Sequence, residues 1–148
     1  MSKQTIIQIL GNNQYREVEF VVGSRRRKER AKLSSIALYN TLKNHEEIEV
    51  RLYIPESVVV HLYEDPKEAI AKIKPPYPYT QDYIANLNLG LDENFKVRPI
   101  PSLGAYKRRN GYEMVFNNYI DNIIVQLTSE LLSVKGELIV DISTGLNS

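Results

Sequence analysis

Apolar residues fall along this chain in two rhythms, short unbroken runs and repeats of three to four, and their alternation gives an order of elements. "TIIQIL" (5–10) is a continuous apolar run, the signature of a strand buried on both faces. It ends at Gly11-Asn12-Asn13, residues that tolerate positive φ and signal a turn. "YREVEFVV" (15–22) alternates instead, with Val18, Phe20 and Val22 on one side and Glu17 and Glu19 on the other. That predicts a half-exposed strand, either paired with the first as a hairpin or lying at an outer edge. "GSRRRKER" follows as a polar, basic connection.

From Ser34 or Ser35 the pattern turns helical, with Ile36, Ala37, Tyr39 and Leu42 as an apolar stripe and the serines as N-caps. "IEVRLYIP" (48–55) reads as a strand stopped by Pro55, and "DPKEAIAKI" (65–73) as a short helix capped by Asp65 with Pro66 at its first position. "KPPYPY" predicts a stiff loop, and "TQDYIANLNLGL" one or two helical turns. "KVRPIPSLGAY" (96–106) predicts a strand running into a glycine-containing loop. Tyr112, Phe116, Tyr119, Ile120, Ile123, Ile124, Leu127 and Leu131 recur at helical steps, so a long amphipathic helix is expected there, ended by Lys135-Gly136. "ELIVDI" (137–142) is the last strand and looks buried.

Strands alternating with helices, in continuous apolar runs, imply parallel βαβ units and an α/β three-layer sandwich with a mainly parallel sheet. Ligands of such sheets sit outside the carboxyl ends of the strands. Three loops are expected at that rim: Gly11-Asn12-Asn13, "SLGAY" after the third buried strand, and "STGLN" after the last.

Composition narrows the field. The 148 residues, 43% hydrophobic and 25% charged, suit one ordinary globular domain. No apolar run approaches a membrane span, and "MSKQTIIQIL" lacks a secretory layout. The absence of cysteine excludes a disulfide framework and thiolate metal sites and suits a reducing, cytoplasmic setting. His45 and His61 are isolated, so no structural metal is expected; His61, within "VVVHLY", is expected in the core or an interface. A net charge of +1 makes the whole molecule no electrostatic magnet for nucleic acid.

The candidate chemistry lies in the loops. "DISTGLN" (141–147) follows a strand with hydroxyls, a glycine and an amide that can face a phosphate or ribose, or can merely cap a following helix. It lacks the lysine and glycine spacing of a P-loop and the repeated glycines of a dinucleotide fingerprint. Gly11-Asn12-Asn13 is either a turn or a polar lip over a ligand. Ser34 begins a helix whose free amides attract anions, although plain capping needs none. Of the basic runs "RRRK" (25–28) and "KRR" (107–109), Lys107 adjoins the loop containing Gly104. Asp141 either orients its turn or acts as an acid. No serine elbow or nucleophilic cysteine exists, so no catalytic residue is assigned.

Taken in order, the strand ending "LGN", then "YREVEF", "LSSIALYNTL", "RPIPSLGAY", a long helix and "LIVDISTGLN" resemble the CARF domain of the CARF–HEPN ribonucleases of type III CRISPR systems. The likeness spans nearly the whole chain. Its most specific element is Asp-x-(Ser/Thr)-x-Gly-x-Asn, matched at Asp141, Ser143, Gly145 and Asn147. The resemblance implies a Rossmann-like sensor domain that pairs about a two-fold axis and binds a cyclic oligoadenylate second messenger across the dimer. It carries Gly11, Asn12 and Asn13 onto the first ligand loop, and Ser143, Thr144, Gly145, Leu146 and Asn147 onto the second. The ligand would be allosteric, no other cofactor is implied, and RNA would be met only through a HEPN nuclease. The arginine-to-histidine pair of that nuclease is missing here, so the chain is expected to be a sensor domain, 1–148, incomplete at its C-terminus and not itself catalytic, of an endoribonuclease. A ring nuclease that cleaves the messenger, using Asn13, Ser143 and Lys107, is the alternative. A fold serving another nucleotide, or only dimerisation, is a third reading.

Overall fold

The computed structural model describes residues 3–11, 15–23, 26–118, 120–134 and 136–141. In chain order these form β1 (Lys3–Ile9), β2 (Val18–Val22), β3 (Arg27–Ala31), α1 (Ser34–Leu42) and β4 (Glu47–Pro55). A 3-10 turn (Glu56–Val58), α2 (Val59–Leu62), α3 (Pro66–Lys72), α4 (Tyr79–Leu87) and β5 (Phe95–Ile100) follow. Last come β6 (Leu103–Lys107), β7 (Glu113–Asn117), α5 (Ile120–Leu132) and β8 (Glu137–Asp141). A four-stranded parallel sheet runs in the order β5-β4-β1-β8, flanked by helices, and two antiparallel hairpins, β2–β3 and β6–β7, stand outside it. This is the α/β architecture that the alternation of runs implies.

By compactness the chain divides into two units. The first holds Met1–Leu52, Leu89–Lys96 and Val134–Ser148; the second holds Tyr53–Asn88 and Val97–Ser133. In the first, β1 is buried from Gln4 to Gln8, and Ile6, Leu10, Leu33, Ala37, Val50 and Leu52 are all but sealed from solvent. Parallel pairing sets Gln4 opposite Glu137 and Gln8 opposite Asp141. Gln4 Nε2 donates to Glu137 Oε2 at 2.9 Å, a cross-strand bond that a slipped register would lose. Tyr39 on α1 stacks edge-on against Phe95 with ring centroids 5.0 Å apart, and its hydroxyl donates to Asp92 at 2.7 Å. Burial first, then that carboxylate, pushes the Tyr39 hydroxyl above its usual pKa, so it stays a neutral donor.

In the second unit Tyr79 is fully buried and donates to the Ile54 carbonyl at 2.6 Å, which satisfies both groups inside an apolar core of Val58, Val59, Val60 and Ala69. The turn between β6 and β7 is bolted to the end of α2. Arg108 Nη1 donates to the carbonyls of Val60, His61 and Tyr63, and the Tyr112 hydroxyl donates to the carbonyls of Val59 and Tyr63. A four-residue helix leaves its last carbonyls unpaired, and a guanidinium fork is well shaped to cover them.

Several expectations are corrected. The stretch 15–22 does supply a strand, over Val18–Val22, but it pairs with β3, so the basic "connection" is the other half of the hairpin. The "SLGAY" segment is strand β6 rather than a loop. The long helix begins at Ile120, because residues 112–117 alternate strictly: Met114 and Phe116 turn inward while Glu113, Val115 and Asn117 are exposed. Two apolar residues four apart fit either period, and pairing with β6 decided for the strand. Among the described residues β8 is an outer strand, with Leu138 39% exposed, rather than a buried one. His61 is exposed rather than in the core, and its carbonyl accepts from Arg108. The expected helix end at Lys135 lies outside the described residues.

Gly136, at φ +86°, leads into β8, and a β-carbon there would overlap the Lys3 backbone carbonyl. Gly136→Ala is therefore expected to destabilise by well over ~1 kcal/mol, read from the midpoint of urea unfolding. Arg108→Ala, which uncovers three carbonyls, is expected to cost about 1–3 kcal/mol in the same measurement.

Candidate ligand-binding rim

The carboxyl end of β1 is where the first unit gathers polar groups. Leu10 is buried and closes the core; Gly11 follows, half-buried, and its N–H donates to the Tyr15 hydroxyl at 3.0 Å. That bond ties Tyr15 to the exit of β1. Beneath it Gln8, wholly buried, accepts through Oε1 from the Ser35 N–H at 3.3 Å. The start of α1 is thereby fixed beside the end of β1, although a hairpin separates the two in sequence. Because Gln8 is registered with Asp141, the backbone of β8 leaves the sheet at the same end.

The N-cap of α1 is Leu33, extended at φ −125° and ψ 142°, with no side-chain cap bond. Ser34 and Ser35 lie inside the first turn, which corrects the expectation that they cap it. Gln8 does part of a cap's work, and α1's opening amides lie where an anion is favoured. The Ser35 hydroxyl is buried and finds no hydrogen-bond partner. A buried hydroxyl without a partner is costly in a finished core.

Of the residues singled out in the sequence, Gly11 and Ser34 come together at this rim. Gly104 and Lys107 belong to the second unit, on β6. Gly104 takes φ +105° opposite Phe116, and Lys107 pairs with Glu113 at the strand's end. Asn12, Asn13, Ser143, Thr144, Gly145, Leu146 and Asn147 lie outside the described residues. Sequence reasoning passed over Gln8 and Tyr15, and gave Ser35 only as an N-cap. The signal was there for Gln8, a lone amide in the middle of an apolar run. At the other end of the strands a cleft of about 140 Å³ is lined by Lys3, Glu47, Glu49, Glu93 and Lys96, among others, and its opposed charges largely compensate one another.

Among the described residues no group of three or more His, Asp or Glu side chains is arranged to hold a metal ion. Among them, too, no helix is long and apolar enough to cross a membrane. The profile of the family described as CRISPR system endoribonuclease Csx1, CARF domain, matches residues 5–148. The chain belongs to this CARF family. It is accordingly a CRISPR-associated sensor domain, and the match begins in β1 and takes in both hairpins, α5 and β8. No match was found among curated proteins.

Within this CARF domain Gln8 joins strand to helix through one buried bond. Gln8→Leu keeps the volume but leaves the Ser35 amide without its acceptor. The expected result is a loss of about 1–3 kcal/mol in urea unfolding, whereas Gln8→Glu, which retains an acceptor, differs by adding a buried charge and is expected to lose more near neutral pH than at acid pH.

Proposed function

We propose that this CARF domain binds a cyclic oligoadenylate at the carboxyl ends of β1 and β8 and, as a two-fold homodimer in the cytoplasm, regulates a HEPN endoribonuclease. The observation that carries the reading is the bond from the Ser35 amide to Gln8, together with the register of Gln8 and Asp141. With it, the first turn of α1 and the exits of two parallel strands share one end of the first unit. Such an arrangement suits phosphates and ribose hydroxyls. A symmetric ring offers the same chemistry to each of two identical rims, which favours a dimer. The ligand contacts are assigned to Gly11, Asn12, Asn13 and Ser34 on the first side. Ser143, Thr144, Gly145, Leu146 and Asn147 are assigned to the second, with Gly104 and Lys107 as outlying candidates.

Isothermal titration with cyclic tetra-adenylate and cyclic hexa-adenylate tests this. Saturable heat at one ring per two chains is expected for one of them, and Ser143→Ala with Asn147→Ala is expected to weaken it at least tenfold (about 1.4 kcal/mol) without a change in melting temperature. Absence of heat with both rings, for protein that melts cooperatively, would sink the proposal. Chromatography of the ring after incubation is expected to return it intact; linear products would make the domain a ring nuclease.

A further inference from the structure

The hairpin β2–β3 carries charge out of proportion to its size. Residues 16–32 hold seven basic and three acidic side chains, a net of +4; the rest of the chain holds twelve and fifteen, a net of −3. A nearly neutral molecule thus concentrates its positive charge in one ribbon. Pairing of Val18 with Ala31 and of Val22 with Arg27 defines the ribbon's faces. One face carries Phe20, Glu29 and the buried Ala31 and lies toward α1. The opposite face carries Glu19, Val21, Lys28 and Arg30, all exposed. Arg26, in the turn at φ +54°, adds a cation at the tip, roughly 14 Å from the base, while Arg27, half-exposed on the face of Phe20, pairs with Glu29 at 2.9 Å.

We propose that this ribbon is a docking surface for the sugar–phosphate backbone of a nucleic-acid strand. Three of its four described cations are arginines, whose planar forks match phosphate oxygens, and a two-stranded ribbon is narrow enough to follow a backbone or enter a groove. Lys28 and Arg30 stand two residues apart on one face, about 7 Å, and so present charges in a row rather than a knot. Their existing partners are weak: Arg30 to Glu17 at 3.3 Å and Lys28 to Glu19 at 3.9 Å, with the cations 62% and 71% exposed. Phosphates can displace such carboxylates without unfolding anything. The exposed face offers no aromatic anchor of the kind a protein partner would bury, which favours a polyanion.

The inference stands apart from the messenger reading, and its test contains no cyclic nucleotide. Fluorescence anisotropy of the full chain with a labelled single-stranded RNA of about 20 nucleotides, and with a matched DNA duplex, is followed across roughly 50–200 mM salt. Binding is expected to weaken with salt, with a log–log slope of about −2 to −3 on the single strand for three or four neutralised phosphates. The variant Arg26→Ala/Arg27→Ala/Lys28→Ala/Arg30→Ala is expected to lose at least tenfold at low salt and to flatten the slope while melting like the parent. Replacing the three arginines by lysine is expected to keep the slope, and Lys67→Ala/Lys74→Ala to change nothing. The tighter of the two probes identifies the strand type. The proposal is overturned by the absence of binding at low salt, by a quadruple-alanine variant that binds like the parent, or by polyglutamate competing as well as RNA, which would make the surface one for acidic proteins.

Discussion

The hydrogen bond between the Gln8 side chain and the Ser35 amide is the constraint on which the first unit turns. Gln8 lies fully inside β1, where an amide is tolerated only if its polar atoms are answered. Its answer comes from the first turn of α1, so the strand cannot shift by one residue without sending the amide to the opposite face and abandoning the helix. The same register holds Gln4 against Glu137 and Gln8 against Asp141. Strand pairing, helix position and the polar rim are therefore consequences of one alignment rather than three separate achievements.

Much of this was legible in the residues. The buried runs of β1 and β4, the helix capped by Asp65, and the helical stripe starting at Ser34 all appear where the hydrophobic rhythm puts them. The misreadings share a cause. Residues 112–117 satisfy a period of two and a period near four at once, and only their neighbour β6 resolves the choice. The arginine-rich stretch looks like a linker because its charges advertise solvent, yet backbone pairing with β2 makes it a strand whatever its side chains prefer. Leu33 replaced the serines as N-cap because an acceptor far away in sequence was already in place. That kind of substitution leaves no local trace.

The second unit shows the same economy with different groups. Its core is apolar, but its fixings are tyrosines and one arginine that reach backbone carbonyls: Tyr79 to Ile54, Tyr112 to Val59 and Tyr63, Arg108 to three carbonyls in succession. Ten tyrosines in the chain and no tryptophan fit this use, since a phenol supplies a large buried body and one terminal donor. Burial raises the pKa of Tyr63, Tyr79 and Tyr112, so these donors keep their protons throughout the physiological range.

The two outer strands of the sheet are unlike. Strand β5 contains Pro99, which has no amide to offer, while β8 runs without proline and bears the half-open Leu138. Among the described residues lateral growth of the sheet is thereby polarised: a newcomer strand meets a blunted border on one flank and a receptive one on the other. Among the described residues β8 is thus the flank on which another strand would be accepted, and Leu138→Lys is the economical way to guard it.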